Sequence, residues 1–213
     1  MPVNTTRRVL LTAALAGVAS LAQAADVLVL SSGDGDVDAA AVGLLESADY
    51  ANAGGGIVFS EWIGYSTQFG AALPEILPTT YQYYTSNGSV TLNRSSAPEA
   101  EGTTVTCQMP QSVSAPADNF SGSESNLLAK PGATVFFDSE TAGGAGVAGW
   151  NVGSGRVLQF SSSIGLNQLT DFTFSRLVLN AIEWTTETEP CAADLVRDGL
   201  LDLSDITTFI TVF

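Results

Sequence analysis

The segment Ala51-Asn-Ala-Gly-Gly-Gly-Ile-Val-Phe-Ser-Glu-Trp62 constrains the fold more than any other stretch. Ahead of it, Ala41, Leu44, Leu45 and Ala48 recur at helical spacing and predict a core-facing helix. Gly54-Gly55-Gly56 ends that helix, since a residue past the last turn takes positive φ, which costs glycine least. Ile57-Val58-Phe59 is then a short, continuously apolar run, as expected of a strand buried on both faces of a parallel sheet. Helix, glycine stop and buried strand make half of a βαβ unit.

The remaining strands follow the same logic. Asp26–Leu30 predicts a first strand, 133–137 another, and Val147–Asn151 with Arg156–Ser161 a hairpin across Val152-Gly-Ser-Gly155. Phe174, Leu177, Val178, Ala181 and Ile182 form the apolar stripe of a helix over 171–184. The expected fold class is α/β: a flavodoxin-like open, mainly parallel sheet with an antiparallel hairpin, plus a small C-terminal loop-helix tail. Residues 86–132 are rich in Ser, Asn, Pro, Gly and Glu, with two short β-like runs, Ser89–Leu92 and Thr103–Gln108. They read as functional surface loops or an insertion. Tyr65, Phe69, Tyr81, Tyr83 and Tyr84 are core or rim packing, or rings that stack on sugars.

At the N-terminus, Arg7-Arg8, the apolar run Val9–Leu21 and Ala22-Gln23-Ala24 predict a signal peptide over 1–24. The twin arginine fits either general or twin-arginine export. The expected location is therefore secreted or cell surface, without integral membrane insertion. The chain carries 22 acidic and 7 basic residues, a net charge of −15. Such a surface repels phosphate backbones, which argues against nucleic-acid partners, and favours divalent cations or neutral glycans.

Histidine is absent, which removes Ser-His-Asp, Cys-His and imidazole acid–base chemistry. Cys107 and Cys191 are too few for a zinc site; they are one bridge or two thiols. Asp34, Asp36 and Asp38 open like a calcium loop, but Ala39 and Leu45 stand where its glycine and closing carboxylate belong. They read as acidic residues at a helix N-terminus. If the chain is a hydrolase, carboxylates alone must do the work. Glu61, Asp34, Asp138 and Glu140 all follow strand ends, where ligands of open α/β sheets bind. Glu61 would be the acid, with Asp138 or Glu140 as base or nucleophile.

Joined to Pro131–Val135, Gly155–Leu158 and Arg176–Trp184, these elements make residues 25–184 resemble a class I glutamine-amidotransferase-like domain. The similarity is to the trehalose-utilisation branch, shortened at its N-terminus. It implies a cysteine on the turn after the central strand and a histidine to activate it. Here that turn holds Ser60-Glu61-Trp62, so the acyl-transfer chemistry does not carry over.

After a linker at 185–190, residues 191–213 resemble one half of a dockerin repeat. Asp194, Asp198, Asp202 and Asp205 fall at loop positions 1, 5, 9 and 12, with Gly199 at the sharp turn and Leu200 offering its carbonyl. Val196 replaces a ligand at position 3. The resemblance implies weak Ca2+ binding, with Ile206, Phe209, Ile210 and Phe213 on one face of an exit helix. The expectation is a non-catalytic binding or surface-assembly protein with an extracellular glycan or a cell-surface receptor as partner. The alternative is the carboxylate-dependent hydrolase of extracellular carbohydrate.

Overall fold

A computed structural model of the chain describes residues 9–12, 27–30, 48–61, 75–117 and 124–186. Ten strands run in order: β1 (Val9–Thr12), β2 (Val27–Leu30), β3 (Gly56–Phe59), β4 (Thr79–Thr85), β5 (Ser89–Arg94), β6 (Ser112–Pro116), β7 (Glu124–Ala129), β8 (Thr134–Ser139), β9 (Ala145–Val152) and β10 (Gly155–Phe160). The helices are α1 (Leu166–Leu169) and α2 (Phe172–Thr186). Among the described residues, eight strands form one sheet in the order β1-β2-β3-β10-β9-β8-β5-β6, and β4 pairs with β7 as a separate ribbon. No described helix is long and apolar enough to cross a membrane.

The expected flavodoxin-like, mainly parallel sheet is overturned. Pairings β1–β2, β2–β3 and β3–β10 are parallel, whereas β10–β9, β9–β8, β8–β5 and β5–β6 are antiparallel. A parallel neighbour needs a long crossover, usually helical. From β4 to β10 the described chain instead connects strands through turns and a single 3-10 turn (Pro98–Ala100). The polar stretch 86–132 supplies three of these strands. In β6 only Val113 and Ala115 are buried, an alternation that half-buries a strand of serines. Residues 103–108, expected to be β-like, are turns in which Thr103 and Thr106 hydroxyls donate to the Ala100 carbonyl. Val9–Thr12, expected in the leader, pairs in parallel with Val27–Leu30 at the sheet edge.

The apolar core behaves as the sequence predicts. Residues 48–52 are helical. Gly54, at φ 111°, then donates to Ala51 O (3.0 Å) and Gly55 to Tyr50 O (2.9 Å), the bond pair of a Schellman stop. All of β3 is buried. The β9–β10 hairpin forms with Gly153 at φ 57°, the first central position of its turn. Strand alternation splits the interior. Val58, Leu158 and Phe160 pack against Phe174, Leu177, Val178, Ala181 and Ile182 of α2 on one face. Ile57, Phe59 and Val157 pack against Ile76 and Leu77 on the other. Asp171 Oδ1 accepts from the Phe174 amide (2.9 Å), capping α2.

The hairpin lies so close to the helix stop that Gly155 has no room for a side chain. A Cβ there would stand 2.2 Å from Gly55 O and 2.4 Å from Ala51 O. Gly155→Ala should therefore destabilise the chain by about 1–3 kcal/mol. A chemical-denaturation midpoint equal to wild type would show that this contact is slack.

Candidate functional site

The site begins where β3 and β10 run out. Phe59 pairs with Gln159, and beyond the strands the Glu61 amide donates to Ser162 O (3.1 Å). The start of β7 lies across these ends: Glu124 bridges Ser162, and the Ser125 amide donates to Ser161 O (2.8 Å). Two carboxyl side chains are thereby buried together, Glu61 and Glu124, each with no exposed surface.

Their surroundings differ. Glu124 Oε1 accepts from Ser139 Oγ (2.6 Å) and Ser161 Oγ (2.7 Å), and its Oε2 accepts from Thr141 Oγ1. Burial raises its pKa, against three hydroxyl bonds that favour the charged form. Glu61 Oε1 accepts only from Ser125 Oγ (2.9 Å), and its Oε2 is buried with no partner among the described residues. Burial pushes Glu61 up to about 7, the Ser125 bond opposing and Glu124 adding to the rise. No cationic side chain among the described residues contributes to either shift. Glu124 is thus an acceptor already in use. Glu61 is a carboxyl that exchanges its proton near neutrality and has one oxygen to spend.

Other buried polar atoms on and just after these strands, and one on α1, also lack a partner among the described residues: Ser60 Oγ, Gln159 Nε2, Ser162 Oγ, Ser163 Oγ and Gln168 Nε2. Buried polar groups normally find partners, so unmet ones just after paired strands mark a site. It also lies at the carboxyl ends of parallel strands, where open α/β sheets take ligands.

Of the carboxylates expected from sequence, Glu61 belongs to this cluster and Asp138 and Glu140 do not. Ser139 points at Glu124, so its neighbours on β8 point away. Both are exposed; Glu140 accepts from Asn93 Nδ2 (2.9 Å), and burial only raises Asp138. Asp34 lies outside the described residues, as do Asp194, Asp198, Leu200, Asp202 and Asp205. Among the described residues no group of three or more His, Cys, Asp or Glu is placed to hold a metal. Cys107 is disulfide-bonded; the chain's other cysteine, Cys191, lies outside the described residues. Neither Ser60 nor Glu61 has the strained backbone of a nucleophile elbow: the described non-glycine residue with positive φ is Gln108, at 55°. The partner missed by sequence reasoning is Glu124, hidden in a stretch that reads as loop. A usable signal was Ser161-Ser162-Ser163 directly after a buried strand, matching Ser60-Glu61 after its neighbour.

No protein-family model matches the chain, and no curated protein matches its sequence. Solved structures do share its architecture. A cytoplasmic protein of Salmonella typhimurium LT2 superposes with TM-score 0.56 at 14% identity, covering 79% of this chain and 74% of that one. A second cytoplasmic protein of Salmonella typhimurium gives 0.60 at 14%, covering 78% and 74%. A ThuA-like protein of Bacteroides uniformis gives 0.54 at 13%, covering 80% and 73%. The fold is similar to that of ThuA-like proteins. This matches the amidotransferase-like resemblance at the level of fold alone. The expectation of a secreted or cell-surface protein is corrected: the two similar Salmonella proteins are described as cytoplasmic, and Val9–Thr12 of the expected leader is a strand of the sheet.

The Glu61 environment has a pH signature. Between the ordinary value of 4.5 and about 7, folded Glu61 holds a proton that the unfolded chain has lost. Stability therefore falls as pH rises through this window, by about 3 kcal/mol in all. Glu61→Gln should match wild type near pH 4 and exceed it at pH 8, with Glu124 leaving a slope of the same sign. Urea midpoints across pH 4–8 measure this; an unchanged slope in the variant refutes the assignment.

Proposed function

We propose that the chain is a non-catalytic binding domain that takes a small neutral, hydroxyl-bearing ligand, a carbohydrate, at Glu61. The observation that carries the proposal is Glu61 Oε2, buried just past β3 and without a partner among the described residues. A hydroxyl suits such an atom in either protonation state, donating to the carboxylate or accepting from the acid. An anion meets two carboxyls and an acidic chain. The flanking hydroxyls and amides are likewise uncharged, and the chain has no histidine to activate a nucleophile beside them.

A second reading, carboxylate-dependent hydrolysis of carbohydrate, is favoured by one feature. Glu61 near 7 beside another carboxyl is the unequal pairing that glycosidases use. Against it, both Glu124 oxygens are held by three hydroxyls, and Asp138 and Glu140 face elsewhere. Calorimetric titration with a panel of neutral sugars, with product detection in the same samples, separates the two. Saturable binding without turnover, weakened roughly ten- to hundredfold in Glu61→Ala, is the expected result. Turnover that depends on Glu61 would replace this reading with the hydrolase, and binding indifferent to Glu61→Ala would remove both.

We also propose that the dockerin-like tail binds calcium weakly, on the order of 10⁻⁴–10⁻³ M, through Asp194, Asp198, Asp202, Asp205 and the Leu200 carbonyl. Its support is the loop spacing with Gly199 at the turn. In the full chain, millimolar calcium should shift the Gly199 amide, and Asp194→Ala should abolish the shift. A Gly199 signal indifferent to calcium ends the tail's dockerin-like reading.

A further inference from the structure

Ser125, whose hydroxyl donates to Glu61 Oε1 (2.9 Å), stands between two segments. On one side its amide donates to Ser161 O (2.8 Å), directly after β10. On the other side it pairs with Tyr84 of β4, the outer strand of the ribbon among the described residues. Residues directly opposite in an antiparallel pair share a face, with Cβ atoms about 4.5–5.5 Å apart. Tyr84 therefore lies on the face of Ser125 that meets Glu61. This pairing depends on an irregularity. Tyr81 pairs with Leu127 and Tyr83 with Asn126, so Gln82 is an extra residue in β4. Without it Tyr83 would stand opposite Ser125 and Tyr84 opposite Glu124. A bulge re-aims side chains, and here it decides which tyrosine shares the face of Ser125. Tyr81, on that same face, packs on the cluster of Leu127, Ala145 and Ala148. Tyr84 is 52% exposed, whereas Ser125 and Glu61 have no exposed surface.

We propose that the Tyr84 ring is the platform on which the ligand of Glu61 stacks, and that this ligand is a pyranose rather than an acyclic polyol. The inference rests on the Glu61 reading and narrows it. A half-exposed ring beside a buried carboxyl asks a ligand for two surfaces at once. One is a flat C–H patch for the ring, whose electron-rich face attracts such edges. The other is a hydroxyl for Glu61 Oε2. A pyranose holds both rigidly, with C–H bonds on its face and hydroxyls on its rim. An acyclic polyol has the hydroxyls but no fixed face, and making one costs it rotamer freedom. A flat anion meets Glu124 beside Glu61 and a chain of net charge −15. Tyr83 supplies a control within the same strand. It is 54% exposed, but it pairs with Asn126 and so projects from the opposite face of the ribbon.

Calorimetric titration of the full chain with the methyl glycosides of glucose, galactose and mannose, and with sorbitol as the acyclic contrast, tests this. Wild type should bind at least one glycoside more tightly than sorbitol, by roughly three- to tenfold. Tyr84→Ala should erase that preference by weakening the glycoside alone, while Tyr84→Phe and Tyr83→Ala keep it. A purely structural role for Tyr84 would weaken glycoside and sorbitol together, and that result overturns the platform. So does a preference that survives in Tyr84→Ala or disappears in Tyr83→Ala. If Tyr84→Ala does not fold, Tyr84→Leu, which keeps apolar bulk without a ring, takes its place. Binding that needs Glu61 but not Tyr84 removes the platform and leaves the Glu61 reading standing. Binding indifferent to Glu61→Ala, or none in wild type, removes both.

Discussion

The buried carboxylate of Glu124 is the interaction on which the arrangement of this molecule rests. Its oxygens gather hydroxyls from the end of β8, the turn after it and the residue following β10. Those belong to two separate parts of the chain, and Glu124 itself opens a strand of a different sheet. A buried charge left unpaired costs several kcal/mol, so the fold either supplies all these donors or loses the charge. Supplying them forces β7 down onto the strand ends, and that in turn seats Ser125 against Glu61. The geometry of the candidate site is thus a by-product of satisfying its less reactive member.

The sheet has two halves that obey different rules. On the parallel side, β2, β3 and β10 lie beside one another, β3 is buried throughout, and close backbone approach is bought with Gly56 and Gly155. On the antiparallel side, β5 and β6 bury alternate residues, as one-sided strands do, while β9 is buried continuously from Ala145 to Gly149. The apolar half was legible in sequence because burial on both faces leaves continuous runs such as Ile57-Val58-Phe59, and because the α2 stripe keeps helical spacing. The polar half was not. In Ser112-Val-Ser-Ala-Pro116 the inward residues are Val113 and Ala115, too few and too small to stand out from their serines. That asymmetry produced the wrong sheet class, since only the strands resembling parallel ones announced themselves.

The same asymmetry explains what was and was not visible of the site. Glu61 could be found, because it follows an unmistakable strand at the position where ligands bind. Its partner was misassigned to Asp138 and Glu140, which also follow a clear strand. The period-two alternation of β8 sends Ser139 inward and both acids outward. Only pairing across the sheet reveals which carboxyl meets Glu61, and Glu124 reaches it from a segment whose composition advertises loop. Long-range pairing of this kind has no local sequence signal.

A chain without histidine has no side chain whose ordinary pKa lies near neutrality, so any group that titrates there must be moved by its surroundings. Burial moves Glu61 by the required amount, and Glu124 adds to it. Replacing Glu124 with an apolar residue would withdraw that contribution and three acceptor bonds together. The carboxyl that exchanges its proton and the carboxyl that holds the strands are therefore one coupled unit. Its members divide the work by how many hydroxyl donors each receives: three for Glu124, one for Glu61. Two glutamates of identical intrinsic chemistry, both raised by burial, thereby become a fully hydrogen-bonded acceptor and an adjustable acid. The adjustable one keeps an oxygen without a partner among the described residues at the carboxyl end of β3, where the hydroxyl of the proposed ligand would meet it.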